Sequence, residues 1–215
     1  MGARPAIKIC APDPQSPELD LFLRISPYVK STLGQSPEAI FLDIACGLGQ
    51  FSLLAASLGH SVVASEGRPD FAQRFQRAAQ LNDVELAHYN SSHPVGNAVS
   101  FAQLLAFVDS GSSLIIHTNL QGNDCELFAD VDKFGALIAR NNLVAVIMNW
   151  SSESRSRASQ KLDCVRSMVD TFLQYEYRPY GNLVPDKPVS TLALLSSLKI
   201  LNPNAVVFEY IIWRK

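Results

Sequence analysis

The stretch Phe41 to Phe51, FLDIACGLGQF, constrains this chain more than any other. Phe41, Leu42 and Ile44 read as a short buried strand. Gly47 and Gly49 then let the backbone turn sharply and approach a ligand, and a helix is expected to start near Gln50. Strand, glycine turn and helix in that order leave unpaired N–H groups and the positive end of a helix dipole at the C-terminal edge of a sheet. Open α/β sheets hold nucleotide-like ligands there. The next run, HSVVAS from His60 to Ser65, reads as a second strand ending in Glu66, nineteen positions beyond Gly47. That distance lets a carboxylate meet ribose hydroxyls across the first crossover.

Spacing bears on which ligand the turn suits. A dinucleotide fingerprint wants a third glycine three residues after the second, and Ser52 stands there, which disfavours an NAD-dependent oxidoreductase. Read as acid-x-small-x-Gly-x-Gly, the residues Asp43, Ala45, Gly47 and Gly49 resemble the first motif of class I S-adenosylmethionine-dependent methyltransferases, with Ala45 in place of the usual first glycine. The longer run FLDIACGLGQFSLLAASLGHSVVASEGRPDFAQRFQRAAQLN resembles the opening of the FkbM family within that class. The family's Asp-Ile-Gly-Ala-x-x-Gly turn falls on Asp43 to Gly49, its Phe-Ser-Leu helix on Phe51 to Leu53, its strand-ending acid on Glu66 and its Leu-Asn on Leu81 and Asn82.

The resemblance implies an α/β, Rossmann-like methyltransferase sandwich with a seven-stranded, mostly parallel sheet and an antiparallel C-terminal edge. It implies S-adenosylmethionine as cofactor, held by Asp43, Ala45, Gly47, Gly49, Phe51 and Glu66, with Tyr89 and Asn90 near the adenine. The reaction implied is O-methylation of a small molecule or saccharide hydroxyl. The family's Lys-x-Asp-x-Glu-Gly pattern at the end of the fourth strand falls on His117, Thr118, Asn119, Leu120, Gln121 and Gly122, so both acids are amides here, and a further family acid falls on Asn149. Amides neither act as bases nor bind a metal with full charge. The rival reading is therefore a catalytically silent relative serving as a cofactor-binding or assembly module.

Within that pattern only His117 titrates near neutrality, and strand alternation places it on the same side as Asn119 and Gln121. These three are the candidate catalytic residues, with His117 the candidate base. The competing reading of His117 is a strand histidine bonded to nearby backbone. Nothing in their spacing picks out His88 or His93, and no histidine and carboxylate have metal-ligand spacing. Cys46, inside the turn with no histidine near it in sequence, reads as packing.

Length and composition set the frame. The 215 residues, 47% of them hydrophobic, suffice for one α/β domain with a full core, taken as residues 1–215 with an irregular arm over 1–15 and a leading helix over 16–35. A net charge of −2 with interspersed signs offers no basic stripe, so nucleic acid is not an expected partner. Nowhere do eighteen apolar residues run together, and the start MGARPAIKICAPDPQSPEL has no signal-peptide pattern, so no membrane association is expected. Cys10, Cys46, Cys125 and Cys164 are far apart and form no cluster, which suggests reduced thiols and a cytoplasmic setting.

Along the rest of the chain, Pro27 is a candidate break in the leading helix, and Pro69 and Asp70 open a helix running to Leu81. Strands are expected over Val84–Tyr89, Ser113–Thr118 and Leu143–Trp150, and a helix within His93–Ser110. Phe128 to Ile138 marks one helix. The run SSESRSRAS reads as a bend before a helix over roughly Ser159–Gln174. Its Arg155 and Arg157 read as a solvated face, though a loop there also lies close to a substrate. Tyr175–Tyr180 and Ala205–Trp213 supply the last strands, while Thr191–Leu201 suits either a helix or a strand.

Overall fold

The computed structural model describes residues 8, 17–84, 88–90, 105–181, 186–198 and 208–215. Helix α1 (Pro17–Gly34) leads into β1 (Ile40–Ile44), the glycine turn, α2 (Gln50–Ser57), β2 (Val62–Ser65), α3 (Pro69–Leu81) and β3 (His88–Asn90). Then come β4 (Ser113–Thr118), α4 (Asp124–Phe128), α5 (Val131–Arg140), β5 (Asn142–Asn149) and α6 (Ser152–Ala158). A 3-10 turn (Ser159–Lys161) leads to α7 (Leu162–Gln174), β6 (Arg178–Gly181), α8 (Thr191–Ser197) and β7 (Tyr210–Arg214).

The strands form one mixed sheet in the order β3-β2-β1-β4-β5-β7-β6. From β3 to β5 every pairing is parallel, and β7 runs antiparallel to both β5 and β6. The order reverses between β1 and β4, so the chain leaves a crevice beyond their C-terminal ends, the place where such sheets take ligands.

Alternation along the buried strands feeds two cores. Phe41, Ile115, Ala145, Ile147 and Ile212 face one way and pack with Val29 and Leu33 of α1, Leu53 of α2 and Phe75 of α3. Leu42, Ile116, Val146, Met148 and Trp213 face the other way, against Phe134 and Leu137 of α5 and Val165 and Phe172 of α7. The first face matters for function, because it carries His117 and Tyr210 to the crevice under α1, with Asp43 buried behind His117.

The structure corrects several sequence expectations. Pro27 lies inside α1 and does not end it. The carbonyl of Leu23, which loses its helical donor to the proline, accepts the hydroxyl of Ser26 at 3.4 Å instead. The serine-rich run is helix α6, started by the Ser151 side chain accepting from the N–H of Ser154. The single helix expected over Phe128–Ile138 is two, because Asp130 caps α5 by accepting from the N–H of Lys133. Thr191–Ser197 resolves as helix, started by Ser190. The strand expected over Val84–Tyr89 appears as His88–Asn90, with residues 85–87 outside the described residues. The arm over 1–15, apart from Lys8, and most of the helix expected within 93–110 also lie outside them.

The expectation of reduced thiols is overturned at two positions. Cys125 of α4 and Cys164 of α7 form a disulfide across a sequence separation of 39, with Cα atoms 5.6 Å apart. Sequence distance concealed the pairing because α4 and α7 pack side by side only once the sheet is built. Among the described residues Cys46 is a free, buried thiol. No described helix is long and apolar enough to cross a membrane.

Candidate functional site

Asp43 and Glu66 both flank the glycine turn, and both are spent on the chain itself. Asp43, fully buried on β1, accepts the hydroxyl of Ser52 at 2.5 Å on one oxygen and Nδ1 of His117 at 2.7 Å on the other. Glu66, 2% exposed, accepts the N–H of Gly47 at 2.7 Å and the N–H of Arg68 at 2.8 Å. The guanidinium of Arg68 adds a 3.4 Å contact to Glu66 and lies 3.4 Å from the centre of the Phe71 ring. Glu66 therefore shapes the turn by binding one of the N–H groups that it was expected to leave open.

A cleft of about 710 Å³, its mouth included, opens beside the turn. Cys46, Gly47 and Leu48 form its floor at the end of β1, and Phe51 its side at the start of α2. Arg68 and Phe71 stand at one end. His117, Asn119 and Gln121 follow from β4 and its loop, then Met148 and Asn149 from β5, Tyr210 from β7 and Ile25 from α1.

The three candidate catalytic residues are thus brought together in one wall. Of the candidate cofactor residues, Gly47 and Phe51 line the cleft, whereas Asp43, Ala45, Gly49 and Glu66 do not. Gly49 serves packing: at φ +73° it lies so close to α3 that an added Cβ would fall 2.0 Å from the Phe75 ring. Ala45 holds a left-handed φ of 56°, a conformation that favours glycine. Tyr89 and Asn90 pair in register with Ala64 and Ser65 of β2, and their side chains lie outside what is described.

Among the described residues His117 bonds to the Asp43 carboxylate, not to nearby backbone as the competing reading held. A carboxylate oxygen offers only lone pairs, so Nδ1 of the neutral ring carries the proton toward Asp43 and Nε2 keeps a lone pair on the far side. The ring is 5% exposed and lies 4.5 Å from that of Phe51. Cys46 lines the same cleft, but burial, reinforced by the charges of Asp43 and Glu66, pushes its thiol well above the ordinary value. A thiol held protonated is a poor nucleophile.

At the end of β5 the side chain of Asn149 donates to Oδ1 of Asn119 at 2.8 Å and accepts the N–H of Ser151 at 2.9 Å. Gln121 accepts from Arg157 at 3.0 Å, which brings α6 to the rim. No group of residues suited to holding a metal ion occurs among the described residues. Sequence reasoning missed Arg68, Phe71 and Tyr210 as cleft residues. Arg68 and Phe71 follow the strand-ending acid closely enough to have been candidates, whereas nothing local marks Tyr210.

No protein-family model matches the chain, and no curated protein matches its sequence. Solved structures do match. The precorrin-6y C5,15-methyltransferase of Geobacter metallireducens GS-15 aligns with a TM-score of 0.52 at 14% identity, over 97% of this chain and 93% of that one. WbdD, in its co-crystal structure with the kinase inhibitor LY294002, aligns with a TM-score of 0.50 at 17% identity, over 92% of this chain and 40% of that one. The chain has a methyltransferase fold. At these identities the likeness extends to the fold alone. Within the methyltransferase fold the cleft has a turn end, at β1 and β2, and a far end, at β5 and β7, with His117 between them.

Proposed function

We propose that this chain is an S-adenosylmethionine-dependent O-methyltransferase of the FkbM kind, acting on a hydroxyl of a small molecule or saccharide. The observation that carries the reading is the 2.7 Å contact between His117 Nδ1 and Asp43 in the wall of the cleft. Asp43 fixes the tautomer, so that Nε2 is the basic atom, and it stabilises the imidazolium formed when that atom takes a proton.

The residues of the turn suit the cofactor. The floor of the cleft is backbone at Gly47, held in place by Glu66, and Arg68 and Phe71 stand beside it. When bound, S-adenosylmethionine supplies an electrophilic methyl group. The chain's own part is to align an acceptor hydroxyl near His117, to exclude water with Phe51 and Ile25, and to receive the hydroxyl proton on Nε2 as the oxygen gains the methyl. Asp43 acts through His117 and is a positioning residue.

Calorimetry with S-adenosylhomocysteine and NAD tests the cofactor. Micromolar binding of S-adenosylhomocysteine is expected, and binding of NAD alone would end this reading. His117→Ala should lower turnover by about 10²-fold or more, and Asp43→Asn should lower kcat more than it raises KM.

A second reading, a silent relative that keeps the cofactor as an assembly or binding module, is favoured by the Asn149–Asn119 pair. Two positions that read as family acids satisfy each other there and carry no charge. Robust product from a panel of hydroxylated acceptors would count against it.

A further inference from the structure

Tyr210 begins β7 directly opposite Asn149 of β5, so both side chains emerge on the face that α1 covers. The residue is 2% exposed, and its phenolic oxygen is buried with no hydrogen-bond partner among the described residues. It walls two spaces: the far end of the cleft, and a groove of about 370 Å³ between α1 and the β6–β7 edge, where Tyr28 lies 5.3 Å from its ring. A buried hydroxyl without a partner opposes folding, and such groups in native proteins call for an explanation. Burial first, then Tyr28 and Glu209, push the phenol well above its ordinary value, so it remains an O–H donor at any working pH.

We infer that the Tyr210 hydroxyl is a binding group for the methyl acceptor, donating to an oxygen lone pair of a carbonyl or carboxylate on that molecule. The inference deepens the methyltransferase reading and rests on it for the word acceptor. Position assigns the role: Tyr210 lies at the opposite end of the cleft from Arg68 and Phe71, and His117 lies between the two ends. Entry to the hydroxyl requires α1 to give way. That helix is weakened beside it, because Pro27, between Ile25 and Tyr28, supplies no N–H to the Leu23 carbonyl and Ser26 compensates at a long 3.4 Å.

Tyr210→Phe keeps the ring and removes only the donor. The midpoint of thermal unfolding should rise, since an unpartnered polar atom is lost. A fall would mean that the hydroxyl has a partner within the fold, and would overturn the proposal. Ligand-observed NMR on the free protein, with benzoate, acetophenone and benzyl alcohol as probes, gives the second readout. The two carbonyl probes should bind the wild type and lose at least tenfold in affinity in Tyr210→Phe, with benzyl alcohol little changed. Equal binding to both proteins, or no binding of either carbonyl probe to the wild type, would overturn it. Calorimetry with S-adenosylhomocysteine should give constants within twofold for the two proteins. A wild type that binds the carbonyl probes but not S-adenosylhomocysteine would sink the methyltransferase reading and leave Tyr210 as a carbonyl-binding group.

Discussion

The side-chain amide of Asn149 donates to the amide oxygen of Asn119 at 2.8 Å, joining the ends of β4 and β5 across the cleft wall. Both positions read as acids in the pattern this sequence resembles. Two carboxylates at that distance would repel, or one would have to hold a proton. The amides are therefore one coupled feature of this chain. Asn149→Asp removes the donor and sets a negative charge against a carbonyl oxygen, and should cost about 1–3 kcal/mol in urea unfolding. Asn119→Asp leaves the Asn149 donor a stronger acceptor, and should stay within about 1 kcal/mol of the wild type. The double Asp variant should be less stable than the sum of the two changes, as a double-mutant cycle would reveal.

The glycine turn yields a graded series. Gly49→Ala drives a methyl into Phe75 at a left-handed backbone position, and should destabilise by about 2–5 kcal/mol. Gly47→Ala meets nothing closer than 3.9 Å, so only its φ of +59° opposes the change, at about 1–2 kcal/mol. Ala45→Gly relieves a left-handed alanine and should stabilise by about 1 kcal/mol. Chemical denaturation of the three variants checks the order.

Asp124, 2% exposed, accepts from the hydroxyl of Thr118 and the N–H of Gly122, and so holds the end of β4 to α4. Burial raises its carboxyl above the ordinary value despite those bonds. A raised acid binds its proton more tightly in the folded than in the unfolded chain. Its contribution is thus largest below the unfolded value of about 4 and declines as pH rises through the folded value. Asp124→Asn should therefore lose less stability than the wild type between pH 4 and pH 7. Equal slopes in urea titrations at those two values would refute the assignment.

The Cys125–Cys164 disulfide ties α4 to α7, and α4 follows the loop that carries Asn119 and Gln121. Closing 39 residues of chain is expected to contribute about 2–4 kcal/mol, chiefly through the unfolded state. Reduction, or the Cys125→Ser/Cys164→Ser double change, should lower the unfolding free energy by that amount. Peptide mapping without reductant should recover the linked pair.

The alternation of strand and helix, the glycine turn between β1 and α2, and the acid ending β2 were legible in the sequence because each depends on neighbours within a few positions. His117, Asn119 and Gln121 do line one cleft, but not through the strand period that grouped them in sequence: β4 ends at Thr118, and Gln121 lies in the loop beyond it at a left-handed φ of 52°. The helix at Ser152–Ala158 and the break at Asp130 were missed because caps overruled composition.

What the sequence did not contain was the set of partners. Asp43 and His117 are separated by 74 positions, Asn149 and Asn119 by 30, and Cys164 and Cys125 by 39. Sequence alone determined which chemistry each strand end carries, because side-chain period and turn geometry are set by adjacent residues. Tertiary structure alone decided that Asp43 serves His117, that Glu66 serves Gly47 and Arg68, and that Tyr210 stands in the cleft. Those choices follow from strand order, and strand order is fixed by how two apolar faces find their helices rather than by any local signal.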